Sequence, residues 1–247
     1  MATLEGKTAV VTGASSGIGA ATARALSREG ALVAGGARRV EALATDVSVP
    51  LDVTDEASCE RFVLEAVEGL GGRLDILVNN AGLALGRESF ERSKEQEERI
   101  VLETNINGVV RVTRHCLPHF EGHGHIVNIG SVAGKWPYEN AAVYCLSKAA
   151  VDAFSRALRE DFLGRPLRVT AIAPGLAETE FSRVRFQGNA EKASSVYDDI
   201  ALGGPLRAED IAECVLFAVT RPSHVNVDEI VVMPLAQTSR SRIARDS

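Results

Sequence analysis

One short stretch near the start of the chain constrains the fold more than any other. The apolar run Lys7–Thr12 (KTAVVT) is typical of a buried strand, and it passes directly into the loop Gly13–Gly19 (GASSGIG). An alanine-rich helix is predicted to follow as far as Glu29. A strand, a glycine loop and a helix in this order form a turn in which free N–H groups at the helix start face an anion. The chain is therefore predicted to be an α/β protein.

Each glycine of this loop has its own predicted task. Gly13 allows the tight turn, Gly17 lets the backbone approach a pyrophosphate, and Gly19 lets the helix pack closely on the strand. The spacing G-x-x-x-G-x-G differs from the commoner G-x-G-x-x-G, but its context predicts dinucleotide binding. The cofactor contacts predicted in this loop are Gly13, Ser15, Ser16, Gly17, Ile18 and Gly19.

The second predicted strand, Ala31–Gly36, indicates which dinucleotide binds. NAD-binding folds usually place an acidic residue after this strand to hold the ribose 2′-hydroxyl, whereas this chain has Arg38 and Arg39 there. A pair of guanidinium groups matches a 2′-phosphate through charge-assisted hydrogen bonds. Because the formal net charge is −6, this local positive charge favours NADP(H). The alternative is a solvated pair of arginines at the start of a helix.

The charge and the cysteines restrict the class of protein. A net charge of −6 argues against nucleic acid or an anionic membrane as a partner. The four cysteines form no C-x-x-C pair, so reduced thiols in a cytoplasmic protein are expected. The sequence shows no secretion leader and no apolar run of about 18 residues, so neither export nor membrane insertion is indicated. A small-molecule substrate is the expected partner.

The rest of the chain continues to alternate strands and helices. Further strands are predicted at Val47–Leu51, Leu74–Val78, Gly124–Ile129, Leu167–Ala173 and Glu229–Met233, and helices at Asp55–Leu70, 102–117, 143–163 and Ala208–Val219. No linker or repeat interrupts them, so residues 1–247 are predicted to form one doubly wound parallel sheet of seven strands with helices on both faces. Only about ten residues join the second and third strands, so a single helical turn is expected near Val40–Ala44.

Several regions are expected to be irregular. Ser93 is expected to cap the helix that follows it, and the Asn and Gly residues inside 102–117 indicate a kink that exposes a backbone carbonyl. A substrate flap is predicted at about 176–200, irregular between residues 179 and 189. The last dozen residues are expected to be frayed. Four histidines between residues 115 and 125 are separated by proline and glycines, so no metal site is predicted.

A tyrosine and a lysine supply the candidate chemistry. In the predicted helix 143–163, Tyr144 and Lys148 lie four residues apart and share one face. A phenol has a pKa of about 10, and a neighbouring cation lowers that pKa by stabilising the phenolate. Such a tyrosine exchanges a proton with an alcohol or a carbonyl. Taken alone, a tyrosine and a lysine at this spacing are an ordinary feature of an amphipathic helix. They indicate catalysis only in combination with the other motifs of the chain.

Polar residues also follow other predicted strands. Ser131 comes directly after Gly124–Ile129, at the carboxyl end of a strand, where α/β sheets place their ligands. Its hydroxyl is suited to hold a substrate oxygen, although a serine at the end of a strand is ordinarily turn chemistry. Asp52 and Val53 occupy the equivalent position after the third strand, where adenine is expected.

Taken together, these motifs resemble the short-chain dehydrogenase/reductase family over essentially the whole chain. The resemblance rests on TGASSGIG (12–19), NNAG (79–82), Asn105, Ser131, the Tyr144 and Lys148 pair, and Pro174 with Gly175. The stretches DILVNNAGLALG, GHIVNIGSVAGKWPY, TEFSRVRFQG and HVNVDEIVVMPLAQ are similar to one subgroup, the NADP-dependent 3-hydroxy acid dehydrogenases that act on serine, allo-threonine and related short acids. The connection after Arg39 and the loop at 176–179 are shorter than that subgroup leads one to expect.

The resemblance implies a role for each matching residue. Tyr144 would be the general acid/base, and Lys148 would lower its pKa and bind the nicotinamide ribose. Ser131 would hold the substrate oxygen, and Asn105 would anchor a water in a proton relay. The further cofactor contacts implied are Asp52, Val53, Asn80 and the segment Pro174–Phe181, with Pro174, Gly175 and Thr179 foremost. Because relatives commonly form tetramers, a homotetramer is implied as well.

The combined expectation is an NADP(H)-dependent oxidoreductase that interconverts an alcohol and a carbonyl on a short 3-hydroxy acid. Arg185 is the predicted partner of the substrate carboxylate, with Arg183 and Lys135 as rivals. Two alternatives remain open, namely a reductase of a bulkier ketone or specialised metabolite, and a catalytically silent NADPH-binding regulator.

Overall fold

Seven parallel strands form one open sheet in the computed structural model, which describes residues 3–186, 188–239 and 242–246. The strands are β1 (Thr8–Thr12), β2 (Leu32–Ala37), β3 (Val47–Pro50), β4 (Ile76–Asn79), β5 (Gly124–Ile129), β6 (Leu167–Pro174) and β7 (Glu229–Val232). They pair in the order β3-β2-β1-β4-β5-β6-β7. The order reverses between β1 and β4, and such a switch point leaves a crevice at the carboxyl ends of the strands.

Helices cover both faces of this sheet. They are α1 (Gly17–Arg28), α2 (Glu56–Gly69), α3 (Glu95–Leu102), α4 (Gly108–Cys116), α5 (Ala142–Asp161), α6 (Phe181–Arg185), α7 (Ala190–Ser194) and α8 (Ala208–Val219). Single 3₁₀ turns lie at Val40–Ala42, Phe90–Arg92, Leu117–His119 and Val132–Gly134. A π turn, Glu103–Asn107, joins α3 to α4. In the part of the chain that the structure describes, no helix is long and apolar enough to cross a membrane.

The two faces of the sheet bury separate apolar cores. Ala9 and Val11 of β1 belong to the core beneath α1 and α8, whereas Val10 belongs to the core beneath α2, α4 and α5. Alternate side chains of a strand point to opposite faces, and here both faces are covered. This explains why the strands read as continuous apolar runs rather than as alternating patterns.

The predicted fold class is confirmed, including the short second connection. The chain between β2 and β3 forms only the turn Val40–Ala42, yet β3 pairs in parallel with β2 from Ala34 opposite Val47 to Ala37 opposite Pro50. The irregularity expected in 102–117 is the π turn Glu103–Asn107.

Three local predictions are wrong. Ser93 does not cap α3, because Lys94 occupies that position and the Ser93 hydroxyl donates to the carbonyl of Phe90 (2.7 Å). The stretch 179–189 is not wholly irregular, since α6 lies within it and α7 follows. The described part of the last dozen residues is not frayed, because β8 (Gln237–Ser239) pairs antiparallel with β9 (Arg242–Ile243), while residues 240, 241 and 247 lie outside the described residues.

Candidate active site

A cavity of about 590 Å³ lies at the carboxyl edge of the sheet and brings together most of the predicted site residues. The predicted residues that line it are Gly13, Ser15, Ser16, Gly17, Ile18, Arg38, Arg39, Asp52, Val53, Asn80, Ser131, Tyr144, Lys148, Pro174, Gly175, Thr179 and Arg185. The loops after β1, β2, β4, β5 and β6 all contribute, because the carboxyl ends of parallel strands meet at one edge. Two predicted residues, Gly19 and Asn105, do not line the cavity.

The glycine loop exposes its backbone at one end of this cavity. Gly13 and Gly17 adopt φ values of +67° and +53°, which favour glycine. A Cβ on Gly19 would lie 2.3 Å from the carbonyl oxygen of Gly13, so Gly19 serves the close packing of α1 on the loop rather than ligand contact. The amide of Asn80 fixes the same loop, since its Nδ2 donates to the carbonyls of Thr12 (2.9 Å) and Gly13 (3.2 Å).

The two arginines after β2 lie against carboxylates. Arg38 lies near Asp52, whose carboxylate also accepts hydrogen bonds from Thr54 N (3.0 Å) and Thr54 Oγ1 (2.8 Å). Burial acts to raise the pKa of Asp52, but the Thr54 bonds and the Arg38 charge outweigh it and lower that pKa. Arg39 forms an ion pair with Glu180 (2.8 Å). Because both arginines line the cavity, they are not simply a solvated pair at the start of a helix.

Tyr144 and Lys148 lie one turn apart on α5, beside Ser131. The Ser131 hydroxyl donates to the Tyr144 oxygen and itself accepts from the backbone N–H of Ala133 (3.1 Å). Lys148 is buried, and its ammonium donates to the carbonyl of Ile129 (3.0 Å). The end of β5 therefore holds both Ser131 and the lysine in place.

The pKa values of the pair differ from the sequence-based prediction. Burial, and next the neighbouring Tyr138, raises the pKa of Tyr144, while the bond from Ser131 and the charge of Arg185 act in the opposite direction. The prediction that the neighbouring Lys148 lowers the pKa of Tyr144 is wrong for this structure, because burial is the largest influence and raises that pKa. Burial also lowers the pKa of Lys148 to about 8, against the opposing charge of Asp152. At neutral pH the tyrosine is thus a protonated phenol that can donate its proton.

Arg185, on α6, is a buried cation at the other side of Tyr144. Its side chain is 7% exposed, and its guanidinium lies 5.5 Å from the ring centroid of Tyr138 and 5.8 Å from that of Tyr144. It donates to the Tyr138 hydroxyl and to the carbonyls of Gly86 and Asn140 (both 3.4 Å). Within residues 3–186, 188–239 and 242–246, no carboxylate lies within 4.0 Å of it. A buried cation without a counter-ion is costly unless an anion joins it.

The two rival cations lie elsewhere. Lys135 forms ion pairs with Asp152 (3.1 Å) and Glu229, and it does not line the cavity. Arg183 is on the exposed side of α6 and is also outside the cavity. Of the three candidates, the structure brings only Arg185 to the Tyr144 side of the cavity.

Comparison with known proteins assigns the family. The family described as short chain dehydrogenase matches residues 7–190. The chain belongs to the short chain dehydrogenase family. The resemblance seen in the sequence motifs is therefore confirmed, and the seven-stranded sheet is the fold of this family's structures.

Three similar proteins place this short chain dehydrogenase within the family. Serine 3-dehydrogenase of Agrobacterium fabrum is 38% identical over 240 residues, which cover 94% of this chain and 95% of that protein. The NADP-dependent 3-hydroxy acid dehydrogenase YdfG of Shigella flexneri is 40% identical over 240 residues, covering 93% and 95%. A solved structure of the closed form of serine dehydrogenase complexed with NADP⁺ matches 97% of this chain and all of its own, with a TM-score of 0.89 and 38% identity.

Asn105 of this dehydrogenase lies behind the cavity. Its Oδ1 accepts from the N–H of Leu83 (2.8 Å), and its Nδ2 donates to the carbonyl of Leu83 (2.8 Å) and to the hydroxyl of Ser147 (3.0 Å). Ser147 in turn donates to the carbonyl of Tyr144 (2.8 Å). The Asn105 side chain thus ties the loop after β4 to the start of α5.

Sequence reasoning missed Tyr138 as a cavity residue of the dehydrogenase, and it placed Glu180 and Phe181 in the cofactor-lining segment without predicting their contacts. Tyr138 holds Arg185, Phe181 packs on Tyr144 with ring centroids 5.6 Å apart, and Glu180 pairs with Arg39. All three belong to stretches that carried the subgroup resemblance, KWPY and TEFSRVRF, but no local pattern predicts these contacts.

The histidines of the dehydrogenase have ordinary partners where the structure describes them. His115 bonds the Glu56 carboxylate (2.7 Å), and the buried His125 bonds the Thr170 hydroxyl (2.8 Å). Among the described residues, no group of three or more His, Cys, Asp or Glu side chains is arranged to hold a metal ion.

Proposed function

We propose that this short chain dehydrogenase interconverts the hydroxyl and carbonyl forms of a short 3-hydroxy acid with NADP(H) as the cofactor. The observation that carries the proposal is the buried, carboxylate-free guanidinium of Arg185 beside the hydrogen-bonded Ser131 and Tyr144. The names of the relatives, a serine 3-dehydrogenase and an NADP-dependent 3-hydroxy acid dehydrogenase, agree with such a substrate.

Residues suited to bind NADP(H) line the cavity from the glycine loop to Lys148. The Gly13–Gly19 loop lines the cavity and would hold a pyrophosphate; Gly13 and Gly17 adopt positive φ there, and Cβ atoms on them would meet Asn80 and Thr179 respectively, so glycine is needed at both positions. The start of α1 offers free N–H groups to that anion. Arg38 and Arg39 would hold the 2′-phosphate, and Asp52 with Val53 would lie against adenine. When bound, NADP(H) supplies or accepts the hydride.

Tyr144 and Ser131 would handle the proton and the substrate oxygen. In reduction, both hydroxyls bond the carbonyl oxygen, and Tyr144 donates its proton to that oxygen as negative charge develops. Because burial raises the pKa of Tyr144, the proton is in place at neutral pH. Oxidation is the reverse step, in which Tyr144 first gives up its proton to solvent and its phenolate then takes the proton of the alcohol. Lys148 would bind the nicotinamide ribose and keep a positive charge near the phenol.

The geometry favours an anionic substrate. The Arg185 guanidinium already bonds three neutral oxygens, and these fix its orientation without neutralising it. A substrate carboxylate is the missing counter-ion, and its binding would set the neighbouring hydroxyl carbon beside Ser131 and Tyr144. Charge-assisted bonds in a desolvated pocket are the strong ones. An uncharged ketone would leave Arg185 without a counter-ion, which weighs against the reductase of a bulkier ketone.

Replacing Arg185 with Met is expected to raise the KM for 3-hydroxy acids about 30-fold or more, because one charge-assisted interaction is removed. The same change should alter kcat/KM for an uncharged secondary alcohol of similar size by much less. Initial rates of NADP⁺ reduction measure both.

The matched control is Arg183→Met, which removes a positive charge from the exposed side of the same short helix. This variant is expected to keep the KM of the parent. Equal losses for charged and uncharged substrates in Arg185→Met would contradict the assignment, and so would an unchanged KM for the acids.

Some expectations from the sequence stay part of the proposal. A catalytically silent regulator would not need Tyr144, Ser131 and Lys148 in one cavity, so an enzyme is favoured. Residues 176–200 would form the substrate side of a single catalytic domain. A cytoplasmic homotetramer agrees with exposed apolar side chains such as Leu146 on α5 and Leu235 after β7.

A further inference from the structure

A carboxylate of the protein itself, that of Glu180, lies at the end of the cavity that carries Arg38 and Arg39. Glu180 accepts a hydrogen bond from Nη2 of Arg39 (2.8 Å) and another from the hydroxyl of Ser16. The bond from Arg39, and next the bond from Ser16, lowers the pKa of Glu180, so this side chain is an anion at neutral pH. All three residues line the cavity.

The same carboxylate stands at the start of the helix that carries Arg185. Glu180 is the residue immediately before α6 (Phe181–Arg185). The preceding residue, Thr179, lies against the glycine loop. A Cβ added to Gly17 would be 3.3 Å from the Cβ of Thr179. At the other end of α6, the Arg185 guanidinium lies over Tyr138 and Tyr144. One five-residue helix thus joins the Arg39 end of the cavity to the tyrosine end.

We propose that Glu180 is a specificity-determining residue that competes with the 2′-phosphate of the cofactor for Arg39. This inference rests on the proposed use of NADP(H). Glu180 accepts hydrogen bonds from Arg39 and Ser16, which would otherwise bind the phosphates of the cofactor. When the 2′-phosphate binds Arg39, it displaces Glu180 from that guanidinium. The chain therefore binds NADP(H) less tightly than its arginine pair would allow.

Electrostatics support competition rather than sharing. A carboxylate 2.8 Å from the Arg39 guanidinium would lie next to a phosphate bound to that guanidinium, and two anions at such a distance repel each other. Arg38 is not part of this ion pair; it lies near Asp52 and lines the cavity, where it would also meet the phosphate. Because Glu180 starts α6, its release also shifts the anchor of the helix that bears Arg185. Cofactor binding is thus coupled to the substrate side of the cavity.

The expected gain in NADPH affinity is limited by the solvent exposure of the Arg39 and Glu180 side chains. The side chains of Arg39 and Glu180 are 54% and 46% exposed, so solvent screens their attraction. Glu180→Gln is therefore expected to tighten NADPH binding by only about twofold to fivefold. The change in NADH affinity should be clearly smaller, because NADH has no 2′-phosphate.

The test is a fluorescence titration of the full chain with NADPH and with NADH, which gives Kd without turnover. Four proteins are compared, namely the parent, Glu180→Gln, Arg39→Ala, and the double variant. Glu178→Gln is the matched control, since it removes one negative charge from an exposed position of the same loop, outside the cavity. The expected result is tighter NADPH binding for Glu180→Gln, no such gain when Arg39 is already absent, and no gain for Glu178→Gln.

Three results would overturn the inference. They are unchanged or weaker NADPH binding in Glu180→Gln, an equal gain in Glu178→Gln, and a gain that persists in the Arg39→Ala background. If the parent binds neither NADPH nor NADH, the proposed function fails together with this inference. If the parent binds NADPH tightly and Glu180→Gln changes nothing, only this inference fails.

Discussion

Replacing Tyr144 with Phe is expected to lower kcat about 1,000-fold, within the range typical of lost general acid–base catalysis. The substitution removes only the hydroxyl that Ser131 bonds, and it keeps the ring that packs on Phe181 and lies under Arg185. The cavity should therefore keep its shape. Steady-state rates in both directions measure the loss of turnover.

Binding measurements separate chemistry from structure in this variant. The Kd for NADPH should stay within about twofold of the parent, since no cofactor contact proposed here depends on the phenol hydroxyl alone. Tyr197→Phe is the matched control, because its hydroxyl bonds Ser182 and the carbonyl of Ala177 instead of Ser131. That variant is expected to lose less than tenfold in kcat. A Tyr144→Phe enzyme with parental turnover would contradict the proton-transfer role.

Replacing Lys148 with Met is expected to lower kcat/KM about 100-fold or more and, unlike Tyr144→Phe, to weaken NADPH binding as well. The ammonium is buried, donates to the Ile129 carbonyl, and would donate to the nicotinamide ribose. Methionine fills a similar volume but leaves that carbonyl without its donor and removes the positive charge one helical turn from Tyr144. Stopped-flow single turnovers and NADPH titrations separate the loss of chemistry from the loss of binding.

Lys135→Met is the control for a partly buried lysine outside the cavity. Lys135 pairs with Asp152 and Glu229, so this variant should lose thermal stability while the folded protein keeps its Kd for NADPH. If Lys148→Met binds NADPH like the parent and turns over at the same rate, the role proposed for Lys148 is wrong.

The fold was predictable because its local signals agree with one another. β1, the glycine loop and α1 follow each other without a break, and the strands are buried on both faces, so each reads as an apolar run. The same reasoning predicted the single turn between β2 and β3 from chain length alone. A fold can be predicted from its sequence when the local patterns agree with the overall topology.

The orientation of α5 was harder to predict. Apolar spacing indicated the helix correctly, but the side chains that α5 buries include Ser147, Lys148 and Asp152, while Leu146 is 57% exposed. The buried face of α5 includes the residues that line the active site, so it contains polar side chains. Ser147, Lys148 and Asp152 each form a hydrogen bond with a specific partner, namely Asn105, the Ile129 carbonyl and Lys135. An apolar stripe therefore predicts that a helix forms, but not which face packs on the sheet.

Contacts between distant parts of the chain account for most of what was missed. Glu180 meets Arg39 across 141 positions, and Arg185 meets Tyr138 across 47. Neither pair has a periodic or spacing signal, so only the folded chain reveals that one cation carries a counter-ion and the other does not. The raised pKa of Tyr144 could not be predicted for the same reason, because it results from burial by residues from several parts of the chain.

The most direct test of the account compares oxidation of short 3-hydroxy acids with oxidation of uncharged alcohols of similar size, using NADP⁺ and NAD⁺ in parallel. Serine, allo-threonine and 3-hydroxyisobutyrate are the acids, and nicotinamide absorbance reports the rate. The account predicts that kcat/KM with NADP⁺ is about 100-fold or more higher for at least one of these acids than for the uncharged alcohols. Equal or better turnover of the uncharged alcohols, or a preference for NAD⁺, would contradict it.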